Sequence, residues 1–201
     1  MKENTQQDVD RAVCVYCASS RACHPDYHEA AYRLGVSLAD GGYAVVYGGG
    51  AVGSMGALAD GALSRGGRVI GVLPHFMNEL EWGRRGLSEL QLVEDMHIRK
   101  QTMLARSQAA VALPGGSGTL DELLEAISLK RLGIFLGPIV MVNTRHFFDP
   151  LIELLSRAIE ERFMSEQHGR MWQVVATPEE VIEAFASAPQ WSIEARKFAV
   201  R

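Results

Sequence analysis

The residues Pro114, Gly115, Gly116, Ser117, Gly118, Thr119, Leu120, Asp121 and Glu122 are the part of this chain whose types and spacing point most directly to chemistry. An apolar run over 109–113 precedes them, and a helical pattern continues from them to Leu132. A strand, a glycine turn and a helix start in that order make an anion site. Unpaired backbone N–H groups point outward there, and the helix dipole favours negative charge. Glycines at 115, 116 and 118 remove Cβ atoms that would hold a phosphate off the backbone. Glu122 needs a separate explanation, because a carboxylate repels that ligand unless it has other work. It follows Thr119 by three residues, so both leave the first helical turn on neighbouring faces. The structural alternative is a capping box, with Thr119 as the cap and Glu122 reaching back to its N–H.

A second glycine loop, Gly48, Gly49, Gly50, Gly53 and Gly56, follows the apolar run 43–47 and opens another helix. Gly48, Gly50 and Gly53 satisfy the G-x-G-x-x-G spacing of dinucleotide sites. The next strand, 68–74, ends without the acid that would bind a ribose, and this is the second strand-to-helix turn rather than the first. A dinucleotide site is rejected, and a cleft of nucleotide size is kept. A third element carries Met96, His97, Ile98, Arg99 and Lys100 early in a helix. Arg99 shares a face with Met96 and Met103, and Lys100 borders it. An arginine fork there suits a phosphate or carboxylate in a dry cleft, and the local positive charge suits a small anion. A solvated helix edge is the competing account.

Taken together, the Gly48–Gly50 loop with Gly53 and Gly56, the 96–100 segment and the 114–122 segment resemble the Lonely Guy family of cytokinin-activating phosphoribohydrolases. Supporting similarity lies in Cys17, Ala18, Ser19 and Ser20, in Arg85, Gly86 and Leu87, and in Phe148, Asp149, Pro150 and Leu151. The resemblance spans 13–185, and the paired motifs in this order are specific where either loop alone is not. It implies a Rossmann-like fold and hydrolysis of a nucleoside monophosphate to free base and ribose 5-phosphate, with no cofactor and no metal. It also implies that Arg99 and Glu122 are the catalytic pair and that Gly115, Gly116, Ser117, Gly118 and Thr119 cradle the phosphate. The implied binding set adds Lys100, Met96, Ser19, Ser20, Gly49, Gly50 and Glu81, with Glu79 as the alternative to Glu81. On this reading a neutral substitution of Arg99 removes activity and spares the fold. Ser117 stands where the family often has a bulkier residue, and Asp121 where glutamate is common. Proteins of this family have often been labelled lysine decarboxylases, yet no lysine here has an evident Schiff-base context. A nucleotide- or molybdenum-cofactor-binding carrier needs the glycine cradles but no carboxylate opposite an arginine. A general AMP nucleosidase would use the same motifs.

Composition agrees with a single α/β domain. The chain has 201 residues, is 47% hydrophobic and carries a net charge of −4, so no broad basic surface argues for nucleic acid. No apolar run has the length of a membrane helix, and 1–10 is polar without a signal-peptide core, so a cytoplasmic location is expected. Cys14 and Cys17 fall at odd spacing in a strand and face opposite sides of the sheet, as buried reduced thiols. His24 and His28 are expected along an exposed helix face rather than on a metal.

The spacing predicts strands at 12–17, 44–48, 68–73, 90–94, 109–113, 138–143 and 172–176, and helices at 25–40, 53–65, 95–107, 119–132, 149–163 and 178–186. Residues 83–87 read as a loop or short helix, 1–10 as a polar tail, 11–186 as one Rossmann-like, doubly wound, mostly parallel domain, and 187–201 as a loosely held tail. Both glycine loops then fall at strand C-terminal ends, where open α/β sheets bind ligands. The 95–107 and 119–132 helices carry apolar positions wider than one stripe, which with the family resemblance leads to an expected homodimer or higher assembly.

Overall fold

The computed structural model describes residues 11–80 and 82–197. Seven strands are present: β1 (Ala12–Tyr16), β2 (Ala44–Tyr47), β3 (Val69–Pro74), β4 (Glu89–Val93), β5 (Ala109–Ala112), β6 (Ile139–Val142) and β7 (Gln173–Val175). The helices are α1 (Pro25–Asp40), α2 (Gly53–Ser64), α3 (His75–Glu79), α4 (Met96–Ala105), α5 (Ser117–Arg131), α6 (Asp149–Glu160) and α7 (Val181–Ser187). The strands form one sheet in the order β4-β3-β2-β1-β5-β6-β7, and every pairing is parallel. Such a sheet must be covered on both faces, and the central strands β1, β2, β5 and β6 are buried at every residue.

Alternation along the strands divides the interior into two cores. Val13, Val15 and Cys17 pack with Ala31, Leu34 and Leu38 of α1, Leu58, Ala59 and Ala62 of α2, and Val181 of α7. Cys14 and Tyr16 face the other way, with Met103 and Leu104 of α4, Leu123, Ala126 and Ile127 of α5, and Leu155 of α6. Cys14 and Cys17 are thus buried free thiols on opposite faces, and burial pushes both well above the ordinary range of a thiol. The chain reverses its direction across the sheet between β1 and β5, and that reversal opens the crevice at their C-terminal ends.

Several boundaries differ from the sequence expectation. The helix expected at 119 begins at Ser117, because Gly116 is its N-cap. The short α3 after β3 was not anticipated, since five residues are too few to display a helical period. His24 is not on a helix face. It caps α1, its Nδ1 accepting from the Asp26 N–H at 3.3 Å. The tail beyond 187 is held in its described part, where the Trp191 indole donates to the Lys130 carbonyl at 2.7 Å. The residues of the expected N-terminal tail, 1–10, lie outside the described residues.

Candidate active site

Three loops from strand C-terminal ends meet α4 at the crevice. The loop after β1 carries Ser19 and Ser20, the loop after β2 carries Gly48 and Gly50, and the loop after β5 runs into α5. A cavity of about 300 Å³ lies between them, lined by Ser19, Ser20, Met96, Arg99, Lys100, Gly116, Ser117, Gly118, Thr119, Asp121 and Glu122, among others. A second cavity of about 520 Å³ shares Ser19, Met55 and Arg99 with it and extends over Val52, Leu73, Met77 and Trp82. Their sizes fall in the ~300–1,000 Å³ range of small-molecule sites. One is walled by the first turn of a helix, the other by apolar side chains.

The start of α5 at Gly116 leaves the N–H groups of Ser117, Gly118 and Thr119 in the first turn, with no side-chain cap taking them. A Cβ at Gly116 or Gly118 would meet nothing within 4 Å, so a ligand can approach the backbone there. Gly115 has a different cause. A Cβ there would lie 2.2 Å from Thr119 Oγ1, and Gly115 stands behind the cavity wall. Gly49 also lies outside both cavity linings, at φ 74° against the Leu73 side chain. Gly53, at φ 62°, is needed for close approach, since a Cβ would lie 2.5 Å from Ser19 C and Ser20 O.

Arg99 and Glu122 are brought together, each only about 5% exposed. Arg99 Nη1 donates to Glu122 Oε1 at 3.2 Å, Nε donates to the Val72 carbonyl at 3.1 Å, and Nη2 donates to the Gly48 carbonyl at 3.1 Å. A Cβ at Gly48 would sit 1.7 Å from Arg99 Nη2, so the guanidinium by itself requires a glycine here, on a loop that also lines the larger cavity. The guanidinium joins β3, the loop after β2 and α5. The sequence leads to an expectation that the fold survives neutralisation of Arg99, and three hydrogen bonds from a buried guanidinium are a physical argument against it.

Glu122 is not part of a capping box. With Gly116 as N-cap it lies more than a turn into the helix, beyond reach of the cap, and its carboxyl faces Arg99 instead. Burial raises its pKa from 4.5 to about 7, against the opposing pull of Arg99; Asp121 raises it and Lys100 lowers it further down the scale of effects. Lys100 bridges α4 to α5, its Nζ lying 2.8 Å from Asp121 Oδ2 and 3.1 Å from Glu125 Oε2. The hydrogen bond to Asp121 raises its pKa, so Lys100 keeps its proton, the opposite of what imine formation requires. Arg99 and Lys100 therefore supply no net positive charge, because each is matched by a carboxylate.

Of the remaining expected residues, Ser19, Ser20, Gly50 and Met96 line the cavities. Glu81 lies outside the described residues, and Glu79 is exposed at the end of α3. The apolar wall of Val52, Leu73, Met77 and Trp82 was not foreseen. Trp82 is 55% exposed, and its backbone is held by its N–H to the Met77 carbonyl and by the Ala51 N–H to its own carbonyl, both at 3.2 Å. A tryptophan between a glutamate and a glycine, at Trp82, was the available signal.

The family model described as "possible lysine decarboxylase" matches residues 55–185. The cytokinin riboside 5'-monophosphate phosphoribohydrolase LOG7 of Arabidopsis thaliana is 40% identical over 177 residues, covering 88% of this chain and 80% of its own. The phosphoribohydrolase LOG of Oryza sativa is 37% identical over 172 residues, covering 86% and 71%. Among solved structures, a molybdenum cofactor carrier protein of Chlamydomonas reinhardtii superposes with a TM-score of 0.68 at 19% identity, covering 89% of this chain and 98% of that one, a likeness of fold alone. By its sequence relatives and by the motifs that build this crevice, the chain belongs to the Lonely Guy family.

Proposed function

We propose that this protein hydrolyses the N-glycosidic bond of a cytokinin riboside 5'-monophosphate, the substrate named for its relatives, to free base and ribose 5-phosphate. The observation that carries this reading is Glu122, a buried carboxyl with a pKa of about 7 on the same helix whose first turn offers free N–H groups. A nucleoside 5'-monophosphate seated by its phosphate on Ser117, Gly118 and Thr119 presents its ribose towards Glu122, and its base enters the apolar cavity. As the bond from C1′ to the base breaks, its electron pair leaves with the base, which takes a proton from solvent. Positive charge builds on the ribose opposite the Glu122 carboxylate. Water adds to C1′ and its proton passes to Glu122, whose near-neutral pKa suits both accepting and releasing it. Arg99 keeps the carboxyl in place and limits the rise of its pKa.

The test is release of free base from AMP and from isopentenyladenosine monophosphate by purified protein. Faster release from the prenylated substrate supports the reading. Equal rates point to a general nucleotide nucleosidase, and no release from either overturns it. The carrier-like fold does not favour a second reading, because a carrier has no use for a poised carboxyl.

Self-association and a cytoplasmic location belong to the same proposal. Met103, Leu104, Leu123 and Ile127, counted from sequence as surplus apolar surface, are buried within the chain. Met96, Leu124 and Leu132 remain exposed and supply the surface for a homodimer. Sedimentation at micromolar concentration tests it, a monomer-sized species being the refuting result. Among the described residues no helix is long and apolar enough to cross a membrane, and the buried free thiols suit a reducing compartment.

A further inference from the structure

Charge balance in the crevice leaves a phosphate without a cation of its own. Arg99 is matched by Glu122, and Lys100 by Asp121 on the same wall and by Glu125, which does not line the cavity, so neither cation is left over for the phosphate proposed to sit there. Backbone N–H groups of α5 supply partial positive charge, but a dianion beside the Asp121 and Glu122 carboxyls calls for a full one. Of the cations lining either cavity, Arg21 is the one that makes no hydrogen bond or ion pair among the described residues.

The position of Arg21 suits this task. It directly follows Ser20, which lines the cavity at the start of α5, and itself lines the adjoining one. Its backbone pivot is fixed on both sides. The Ser20 carbonyl accepts from His28 Nε2 at 3.0 Å and from Cys23 Sγ at 3.7 Å, Ser20 Oγ accepts from the Ala22 N–H at 3.2 Å, and Ser19 and Ser20 lie against Gly53. The side chain is exposed and uncommitted on this anchored loop. An arginine fork on such a pivot can close over a phosphate bidentately once it arrives, whereas Arg99 and Lys100 would first have to leave their partners.

Resting on the proposed phosphoribohydrolase reading, we propose that Arg21 is a phosphate-binding residue: it closes over the 5'-phosphate from the β1 side and supplies the charge that the α5 cradle lacks. It contributes to affinity and not to bond cleavage. Its loss weakens binding of anything bearing the ribose phosphate and leaves turnover of bound substrate in place.

The experiment measures ribose 5-phosphate binding by calorimetry, and KM and kcat for AMP and isopentenyladenosine monophosphate, for the wild type, R21A and R21K. R21A is expected to weaken ribose 5-phosphate binding and raise KM by about tenfold or more, the size of a charge-assisted hydrogen bond. Its kcat should stay within about threefold and its melting temperature unchanged, since the exposed side chain makes no hydrogen bond or ion pair among the described residues. R21K should recover part of the affinity. Unchanged ribose 5-phosphate binding in R21A overturns the proposal, as does a fall in kcat with KM unchanged. Binding of ribose 5-phosphate needs no turnover, so a wild type that binds it through Arg21 but releases no base would refute the hydrolase reading and keep this one.

Discussion

Replacing Glu122 by glutamine separates its electrostatic role from its packing, because the amide keeps the shape of the protonated carboxyl and its contact to Arg99. Burial moves this carboxyl from 4.5 to about 7. A folded-state pKa raised above the unfolded one means that the native state holds the proton more tightly. The associated stability is fully present below the unfolded value and is lost as pH rises through about 7. At about 1.4 kcal/mol per pH unit, that displacement corresponds to about 3 kcal/mol of stability forgone above neutrality. E122Q does not ionise and escapes the loss. It should melt about 6–12 °C above the wild type near pH 8.5, given about 2–4 °C per kcal/mol for a chain of this size. Near pH 5 the difference should shrink to about 1 kcal/mol or less. Base release should meanwhile fall by about two orders of magnitude or more. The assays are thermal melts of both proteins at the two pH values and release of free base. A melting difference that does not grow with pH, or a wild type more stable than E122Q near pH 8.5, would refute the burial argument. Near-normal turnover in E122Q would refute the chemical one.

Wild-type activity should rise with pH through an acid limb near 7, as Glu122 loses its proton, and K100Q should move that limb upward because Lys100 lowers the Glu122 pKa; a pH profile of kcat checks both. Substituting Arg99 with glutamine should abolish activity and also destabilise the fold by about 3–5 kcal/mol, since it strands a buried carboxyl and two carbonyls; urea unfolding measures it. Gly48→Ala should lower both melting temperature and turnover by forcing the Arg99 guanidinium from its place. Gly118→Ala should leave the melt unaffected and raise KM, because the added methyl meets only the ligand's space; the pair, compared by melt and kinetics, distinguishes glycines required by the fold from those required by the substrate.

Much of this crevice was legible in the chain itself. The strand–glycine–helix order around 109–119 can fold in few ways, and in a parallel sheet it must place its turn at the ligand end. Alternation along β1 sent Cys14 and Cys17 to opposite faces for the same local reason. Pairing was not legible, because it depends on groups far apart in sequence. Arg99 meets the Gly48 carbonyl 51 residues away and Glu122 23 residues away. Hence the sequence could mark Gly48 as part of a ligand loop but could not show that its bare backbone also admits a guanidinium. It could likewise count Lys100 as free charge when Asp121 and Glu125 hold it. Burial, which gives Glu122 its near-neutral pKa, exists only once α4, α5 and the loop after β2 close over it. Residue types and local spacing follow from the chain, but dielectric environment and charge balance are properties of the assembled crevice, and they decide which groups remain available to a ligand.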